Sequence, residues 1–332
     1  MAASTLTFHN LIDKNRRNSL LLVVLFCLSI AVIAAAFGMA IVGILAPQSL
    51  AGLDWTQGLL IGGIAGGISL LFSIVSYYGG DRMILAVSHA HPIQHDNDPE
   101  LFNVVEETAI AAGVPMPRVY LIEDSAPNAF STGRDPRHAA ITVTSGLRTK
   151  LTRDELQGVV AHEMSHIGNY DIRLMLLMAV LVGTVVMLAD FLGQTFFWSS
   201  VSGGRRRSND QSGGNPLAIV LVVFGVLLAI LAPLLVRIIQ LAVSREREYL
   251  ADASAVGLTR YPQGLASALR KIDDDPEVLE AANRGTAHLY IANPIKKFEK
   301  RAGSAFASHP PIKERIRRLE SLTPTESGSA AA

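Results

Sequence analysis

Residues 152–168 read TRDELQGVVAHEMSHIG, and this stretch decides how the rest of the chain is interpreted. Thr152, followed three residues later by Glu155, has the pattern of a helix N-cap with a capping box. We therefore predict a helix over Leu151–Ile167. Because residues four apart share one face of a helix, the imidazoles of His162 and His166 can both reach one metal ion.

Glu163 lies between these two histidines and is placed to hold a water molecule beside the metal. Two His ligands and a Glu that acts as general base are typical of metalloproteases. A catalytic zinc would polarise the scissile carbonyl and lower the pKa of water to roughly 7. The five-residue pattern also occurs by chance on exposed helices, so its context in the chain matters.

A third ligand is expected in the stretch SREREYLAD at 244–252, because catalytic zinc takes three protein ligands and keeps one position open. Glu248 and Asp252 are four residues apart and share a helix face. Glu248 could complete the coordination, and Asp252 could accept the free N–H of a ligand histidine. Glu246 is the rival third ligand, and a charged helix at a membrane surface is the alternative to both.

Apolar residues make up 49% of the 332 residues and charged residues only 17%. The apolar residues are clustered, and each cluster is long enough to cross a bilayer, which takes about 20 residues. Buried core helices are the alternative, above all for the last two clusters. The predicted membrane helices span about 20–45, 59–78, 174–198 and 217–243.

Charge suggests how these helices are oriented. Lys14, Arg16 and Arg17 precede the first helix, whereas the loop 46–58 has no Lys or Arg. Basic flanks favour the cytoplasmic side, so both ends of this hairpin are expected there. The loop of the second hairpin contains Arg205–Arg207, so that hairpin either crosses as an exception or lies partly against the membrane.

The second hairpin also connects the two halves of the expected metal site. The helix of His162 and His166 leads into the third apolar segment, and Glu248 follows the fourth. An antiparallel hairpin returns the chain to the depth it left. We therefore expect Glu248 to lie beside the two histidines.

The polar remainder is expected to fold in water as an α+β domain with a small sheet. An amphipathic helix is predicted over Pro99–Ala112, a strand over Arg118–Glu123 and a second strand or hairpin over Asn128–Thr144. The chain from 244 to 322 is expected to be helical, with breaks at prolines. The predicted parts are the membrane hairpin 1–80, the first catalytic part 81–168, the second membrane hairpin 169–243, the second catalytic part 244–322 and a disordered tail 323–332.

With these motifs in place, the sequence resembles the HtpX-type membrane metallopeptidases, relatives of the CAAX prenyl endopeptidases in the gluzincin class. The resemblance covers nearly the whole chain. It implies a mainly α membrane protein with four transmembrane helices and a cytoplasmic gluzincin-like domain that binds one Zn²⁺. The implied roles are ligands for His162, His166 and Glu248, general base for Glu163 and an orienting carboxylate for Asp252.

Asn128-Ala129-Phe130-Ser131-Thr132-Gly133 resembles the edge strand on which gluzincins pair the substrate backbone. Asn128 would then hydrogen-bond the substrate, beside Ala129 and Phe130. Strand addition suits a protease that accepts many extended sequences, because main-chain bonds provide the affinity. The alternative is an ordinary hairpin with Asn128 in a turn.

Ser308-His309-Pro310-Pro311, followed by Arg315, resembles a late motif of the family. His309 could donate to the oxyanion of the tetrahedral intermediate, or it could be a structural residue before the two prolines. Arg245 could bind a substrate carbonyl, or it could simply mark the cytoplasmic side. The remaining histidines that we considered are interpreted as surface or loop residues: His89, His91, His95, His138 and His288.

Together these features predict a membrane-bound zinc endopeptidase that cleaves cytoplasmic segments of misfolded membrane proteins. A stress-response role in a bacterial inner membrane is expected, with the active site and both termini in the cytoplasm. Zero net charge gives no indication of nucleic acid, and the lone Cys27 excludes a Cys-based zinc site. Unfolded polypeptides and the lipid bilayer are the expected partners, and a homo-oligomer stays open. The alternatives are a prenyl-protein processing peptidase, a zinc-binding scaffold without activity and a transporter.

Overall fold

The computed structural model describes residues 55–180, 245–281, 286–292 and 310–322, with scattered positions between 17 and 31. The chain divides into two compact units. The first comprises Met1–Ser19, Tyr77–Val180 and Ile239–Ala332, and the second comprises Leu20–Ser76 and Leu181–Ile238. The division into five parts made from the sequence stays a prediction.

The longest described helix, α1 (Trp55–Val87), has 33 residues and extends beyond the predicted span 59–78 at both ends. Several of its apolar side chains are exposed, among them Leu60, Ile64 and Ile68. Within the described residues, Gly66–Val87 is the one stretch that is long and apolar enough to cross a membrane.

The other predicted spans, about 20–45, 174–198 and 217–243, lie wholly or mainly outside the described residues. The third is described only at its start, where residues 171–180 are helical and mostly buried. This segment packs on α1, because a Cβ at Gly80 would lie 3.1 Å from side-chain carbons of Leu176 and Val180. Four transmembrane helices therefore stay a prediction, whereas a mainly helical fold with a small mixed sheet is confirmed.

The described strands form one sheet in the order β1-β2-β4-β3. β2 and β4 are parallel, whereas the β1/β2 and β3/β4 pairs are antiparallel. β3 therefore lies at an edge of the sheet, as predicted for the strand after Asn128. The turn that follows contains Gly133 at φ 145, a conformation that L side chains rarely adopt. The strands are β1 (His91–Pro92), β2 (Arg118–Ile122), β3 (Ala129–Thr132) and β4 (Ala140–Thr144).

Helices pack on the sheet and on one another. The first of them, α2, has the predicted bounds and begins at the N-cap Asp98, whose carboxylate accepts the Leu101 N–H. After β4 come two helices, and the chain beyond residue 244 adds three more within the described residues. The helices are α2 (Pro99–Ala112), α3 (Ser145–Lys150), α4 (Arg153–Gly168), α5 (Arg245–Thr259), α6 (Pro262–Asp274) and α7 (Ile312–Ser321), with short 3₁₀ turns at Pro136–His138 and Ala287–Leu289.

Helix α4 is central, since it packs against α2, α5, α6 and β3. The predicted capping box is confirmed: Thr152 Oγ accepts the Glu155 N–H, and the Glu155 carboxylate accepts the Thr152 N–H. Small residues allow α6 to approach closely. A Cβ at Gly158 would lie 2.6 Å from the Leu265 nitrogen, and one at Gly264 would lie 2.7 Å from the Asp154 carbonyl oxygen. These contacts fix the helix that presents the two histidines.

Candidate metal centre

Helix α4 presents His162 and His166 on one buried face. The two residues are 1% and 4% exposed, and their Nε2 atoms lie 3.2 Å apart. Both rings are thus directed toward the same point, as their four-residue spacing predicts.

Helix α5 adds Glu248 to this pair. Its Oε2 lies 3.7 Å from Nε2 of His162, and its Oε1 lies 3.5 Å from Nε2 of His166. Ligands about 2.1 Å from a tetrahedral ion are separated by about 3.4 Å, so these spacings fit one metal ion. The three side chains form a buried cluster of potential ligands. Glu246, the rival third ligand, is exposed and is not part of a cluster found among the described residues.

Asp252 contacts the first histidine. It lies one helical turn after Glu248, and its Oδ1 is 2.9 Å from Nδ1 of His162. A carboxylate at Nδ1 fixes the ring and leaves Nε2 for a metal. The structure therefore places Asp252 where an orienting carboxylate would have to be.

Asp171 does the same for the second histidine, and our sequence analysis missed it. Its Oδ2 lies 3.0 Å from Nδ1 of His166, and Nη1 of Arg247 lies 3.5 Å from its other oxygen. Asp171 comes five residues after His166 and just beyond the end of α4. Tyr170, at φ 60, turns the chain back at this point. The sequence signal that could have indicated this contact is an acidic residue shortly after the stretch His162–His166.

Arg315 of α7 is fully buried beside Asp252 and Glu248. Its Nε and Nη2 donate to the Asp252 carboxylate at 2.9 and 2.7 Å, and its Nη1 lies 3.5 Å from Oε2 of Glu248. Burial raises the pKa of Asp252, but the charge of Arg315 and hydrogen bonds from His162 and Arg315 lower it to about 2. The sequence analysis noted Arg315 only as part of the late motif.

The buried charges around the cluster are unbalanced in favour of a cation. Four carboxylates face two guanidinium groups, an excess of two negative charges when the histidines are neutral. Burial lowers the pKa of His166, but its bond to Asp171 and the charges of Glu248, Asp171 and Glu163 raise it to about 9. A site that draws in a proton in this way also suits a divalent metal ion. The carboxylates are Glu163, Asp171, Glu248 and Asp252, and the guanidiniums are Arg247 and Arg315.

Glu163 points toward the edge strand rather than into solvent. It is 1% exposed, and Ser131 Oγ of β3 donates to its Oε2 at 2.6 Å. A carboxylate has two acceptor oxygens, so this bond fixes one of them and restricts the rotation of the group. Sequence reasoning had included Ser131 in the edge strand without assigning it a contact with Glu163.

Asn128, Ala129 and Phe130 lie at the edge strand, but they are engaged by this chain itself. Asn128 Nδ2 donates to the Ala292 carbonyl at 3.1 Å, and the Ala129 carbonyl accepts the Ile291 N–H at 2.9 Å. Phe130 is buried. The predicted contact of Asn128 with a substrate backbone is thus made here with the backbone of residue 292.

The other sequence-predicted residues fall outside the cluster. His309 lies outside the described residues, and Arg245 is exposed at the start of α5. The interpretation of His288 as a surface or loop residue was wrong in one respect. His288 is 8% exposed, and its Nε2 lies 3.3 Å from the Met175 carbonyl oxygen. The remaining histidines of that group, His89, His91, His95 and His138, are exposed as expected.

Fold and site together define a metallopeptidase, since the two buried histidines and the acid between them lie on one helix in the pattern typical of metalloproteases. The sequence profile of peptidase family M48 matches residues 95–323. The chain therefore belongs to peptidase family M48, and it is a metalloprotease that hydrolyses polypeptides. The matched range contains every residue of the buried cluster.

Similar proteins are named Protease HtpX homolog. The Protease HtpX homolog of Thermoanaerobacter pseudethanolicus is 46% identical over 254 residues, which are 76% of this chain and 82% of the relative. The Protease HtpX homolog of Lactobacillus helveticus is 41% identical over 312 residues, covering 94% and 98%. The crystal structure of S. mikatae Ste24p matches with a TM-score of 0.42 and 23% identity, over 84% of this chain and 67% of that one. The resemblance drawn from the sequence motifs is confirmed.

Proposed function

We propose that the chain is a zinc endopeptidase in which His162, His166 and Glu248 hold the metal and Glu163 is the general base. The observation that carries this proposal is the buried cluster of two Nε2 atoms and one carboxylate. Two imidazoles and a carboxylate form a ligand set of catalytic zinc. When bound, zinc would polarise the scissile carbonyl and make water a stronger acid.

The protein's own groups supply the rest of the chemistry. The Glu163 carboxylate accepts a proton from the attacking water and returns it to the leaving amine. Asp252 and Asp171 hold the histidine rings by their Nδ1 atoms, which keeps Nε2 directed at the metal. We assign an oxyanion-stabilising role to His309, as the family resemblance implies.

A substrate is proposed to bind as an added strand along β3. The strand lies at the edge of the sheet and is joined to the base through Ser131. Asn128 would then bond the substrate backbone beside Ala129 and Phe130, and Arg245 would bind a substrate carbonyl. Such main-chain recognition accepts extended segments of many sequences and excludes compact folded chains.

The proposed role is quality control of membrane proteins from the cytoplasmic side of a bacterial inner membrane. The long apolar segments of the sequence and the exposed apolar side chains of α1 support membrane insertion. His166 lies only eight residues before Leu174, where the third apolar segment begins, so the site is expected close to the membrane surface. A substrate that reaches this depth would be a loop of a damaged or unassembled membrane protein.

Replacing the base tests the proposed chemistry. Glu163→Gln keeps the size of the side chain and removes only the proton acceptor. We expect metal content like wild type and a loss of peptide cleavage of roughly a thousandfold, the scale of general acid–base catalysis. Metal analysis and turnover of a quenched peptide by the full chain in detergent measure both. Near-normal turnover would remove Glu163 from the mechanism.

The choice of substrate needs its own experiment. In bilayers of one composition, the enzyme should cut a destabilised membrane protein faster than a soluble unfolded chain. The cuts should fall in cytoplasmic loops and follow little sequence preference. Equal rates, or cuts confined to one short motif, would favour a dedicated processing peptidase instead.

A further inference from the structure

The start of β3 is already paired with residues Tyr290–Ala292 of the same chain. The Ile291 N–H donates to the Ala129 carbonyl at 2.9 Å. Asn128 contacts the next residue twice: its Nδ2 donates to the Ala292 carbonyl at 3.1 Å, and its Oδ1 accepts the Ala292 N–H at 3.4 Å. The bond to Ala129 is a main-chain bond of the kind by which a peptide adds to a sheet edge, and the two bonds to Ala292 are made by the Asn128 side chain.

The same segment also reaches the residues around the metal cluster. Arg315 Nη1 donates to the Ile291 carbonyl at 3.0 Å, while Nη2 of the same side chain holds Asp252 at 2.7 Å. Asp252 in turn contacts Nδ1 of His162. Arg315 Nη2 also lies 3.3 Å from Nδ1 of His162, so a single side chain separates the Ile291 peptide group from a candidate ligand histidine.

Packing holds this segment firmly in place. Tyr290, Ile291 and Ala292 are each no more than 2% exposed. The ring of Tyr290 meets the ring of Phe130 edge to face, with centroids 5.0 Å apart, an arrangement that adds to the stabilisation from burial. A segment that is paired, buried and stacked in this way is held against the start of β3.

We propose that Tyr290–Ala292 is an internal peptide ligand that occupies the substrate-pairing edge and must leave β3 before a substrate can bind. The inference rests on the proposed function, because it takes β3 as the strand that receives substrates. The Ala129 carbonyl and the Asn128 side chain cannot serve both peptides at once. An intramolecular competitor lowers the apparent affinity for substrate by the fraction of molecules in which the edge is open.

Ile291→Pro weakens this pairing without altering β3. Proline lacks the N–H that donates to Ala129. Tyr290, at φ −76 and ψ 145, already has the extended backbone that a residue before proline requires. Ile291→Val is the matched control, since it keeps the N–H and most of the side chain.

With a short quenched peptide as the probe, we expect Ile291→Pro to lower KM severalfold while metal content stays at the wild-type level. Ile291→Val should behave like wild type. An unchanged or raised KM in an Ile291→Pro protein that retains its metal would overturn the inference. If Ile291→Pro loses its metal, the segment is tested by a disulfide instead.

For that test, Phe130→Cys and Tyr290→Cys are combined with Cys27→Ala, which removes the one native cysteine. Formation of the disulfide would tie the segment to β3, and reduction would release it. The oxidised protein should lose at least about nine-tenths of its kcat/KM relative to the same protein after reduction. Equal kcat/KM in both forms, with the cross-link confirmed by mass, would overturn the inference.

Glu163→Gln separates this inference from the function on which it rests. If Glu163→Gln remains active, the proposed chemistry is wrong. If Glu163→Gln is inactive and the cross-linked segment does not inhibit, the chemistry stands and only the internal ligand is rejected.

Discussion

The two ends of helix α4 use charged side chains in opposite ways. At its start, the Glu155 carboxylate accepts hydrogen bonds from Lys271, Ser267 and the Thr152 N–H, so the charge is fully matched. At its end, buried carboxylates surround His162 and His166 in excess over the nearby guanidiniums. The negative charge at the start is balanced by groups of the protein itself, whereas the excess negative charge at the end is balanced only when a cation binds.

This difference shows where the chain gives up stability for function. Buried like charges destabilise a fold unless they are paired. The carboxylates at the metal end of α4 therefore lower the stability of the fold when no ion is bound. The capped start and the close contacts of Gly158 and Gly264 with their neighbours hold the helix in place. Variants at the metal end should therefore alter metal binding and turnover, and variants at the start should alter stability alone.

Removing the third ligand should give the largest effect. Glu248→Ala leaves two imidazoles for the ion, so we expect nearly all bound metal and all measurable cleavage to be lost. Glu246→Ala, two residues earlier on α5 and exposed, should keep both. Metal analysis of the two purified variants decides the matter. Loss of metal from Glu246→Ala alone would show that the register of α5 is wrong.

Asp171 should have the next largest effect. Asp171→Asn keeps the side-chain shape but removes the charge that faces Nδ1 of His166. Loss of a partner that orients a metal ligand costs about 10–100-fold in metal affinity. Competition with a chelator measures this loss. Asp154→Asn, an exposed position at the start of the same helix, should leave the affinity unchanged, and an unchanged affinity in Asp171→Asn would contradict the assignment.

Contacts within α4 and contacts of α4 with other elements differ in how well the sequence predicts them. Thr152, Glu155, His162 and His166 interact at spacings of three and four residues, so helix geometry alone relates them. Glu248 was placed correctly because a hairpin of apolar segments implied its return.

The partners of the ligands could not be derived in that way. Arg315 meets Asp252 across 63 positions of sequence, and Ser131 meets Glu163 across 32. No local sequence pattern relates residues that are this far apart in the chain. Only the packing of α7 and β3 on the site brings them together. For the same reason, the sequence did not predict the pairing of residues 290–292 with β3. The membrane helices beyond α1 stay predictions that rest on composition.

Ser131 should have a moderate effect that falls on turnover. Ser131→Ala removes the hydroxyl that holds Glu163 Oε2. Because a hydrogen bond to a charged group contributes about 1.5–3 kcal/mol, we expect kcat to fall by about tenfold or more. KM and metal content should stay near wild type. Steady-state kinetics with one peptide measures the split between kcat and KM.

Ser131→Thr is the control for that variant, since it restores a hydroxyl at the same position. It should recover much of the lost kcat. If Ser131→Ala has wild-type kcat, or if it loses metal together with kcat, then Ser131 does not position Glu163 and serves only the packing of β3 on α4.

The smallest effect is expected at the start of α4, and it should depend on pH. Burial raises the pKa of Glu155, but hydrogen bonds from Lys271, Ser267 and the Thr152 N–H lower it overall below its ordinary value of 4.5. A carboxylate with a lowered pKa in the folded state stabilises the fold above that ordinary value, and the contribution is lost as the pH falls through the folded pKa. Glu155→Gln should therefore cost about 1 kcal/mol at pH 7 and much less at low pH.

Thermal unfolding of metal-loaded wild type and Glu155→Gln at several pH values measures this. A difference of about 2–4 °C at pH 7 is expected for a folded unit of this size, and it should shrink below about pH 4.5, where Glu155 begins to take up its proton. Asp154→Asn, on the same turn but exposed, should show no such convergence. If Glu155→Gln instead changed metal affinity or kcat at neutral pH, the two ends of α4 would not be separable, because the cap would then be acting on histidines about 10–17 Å away along the helix.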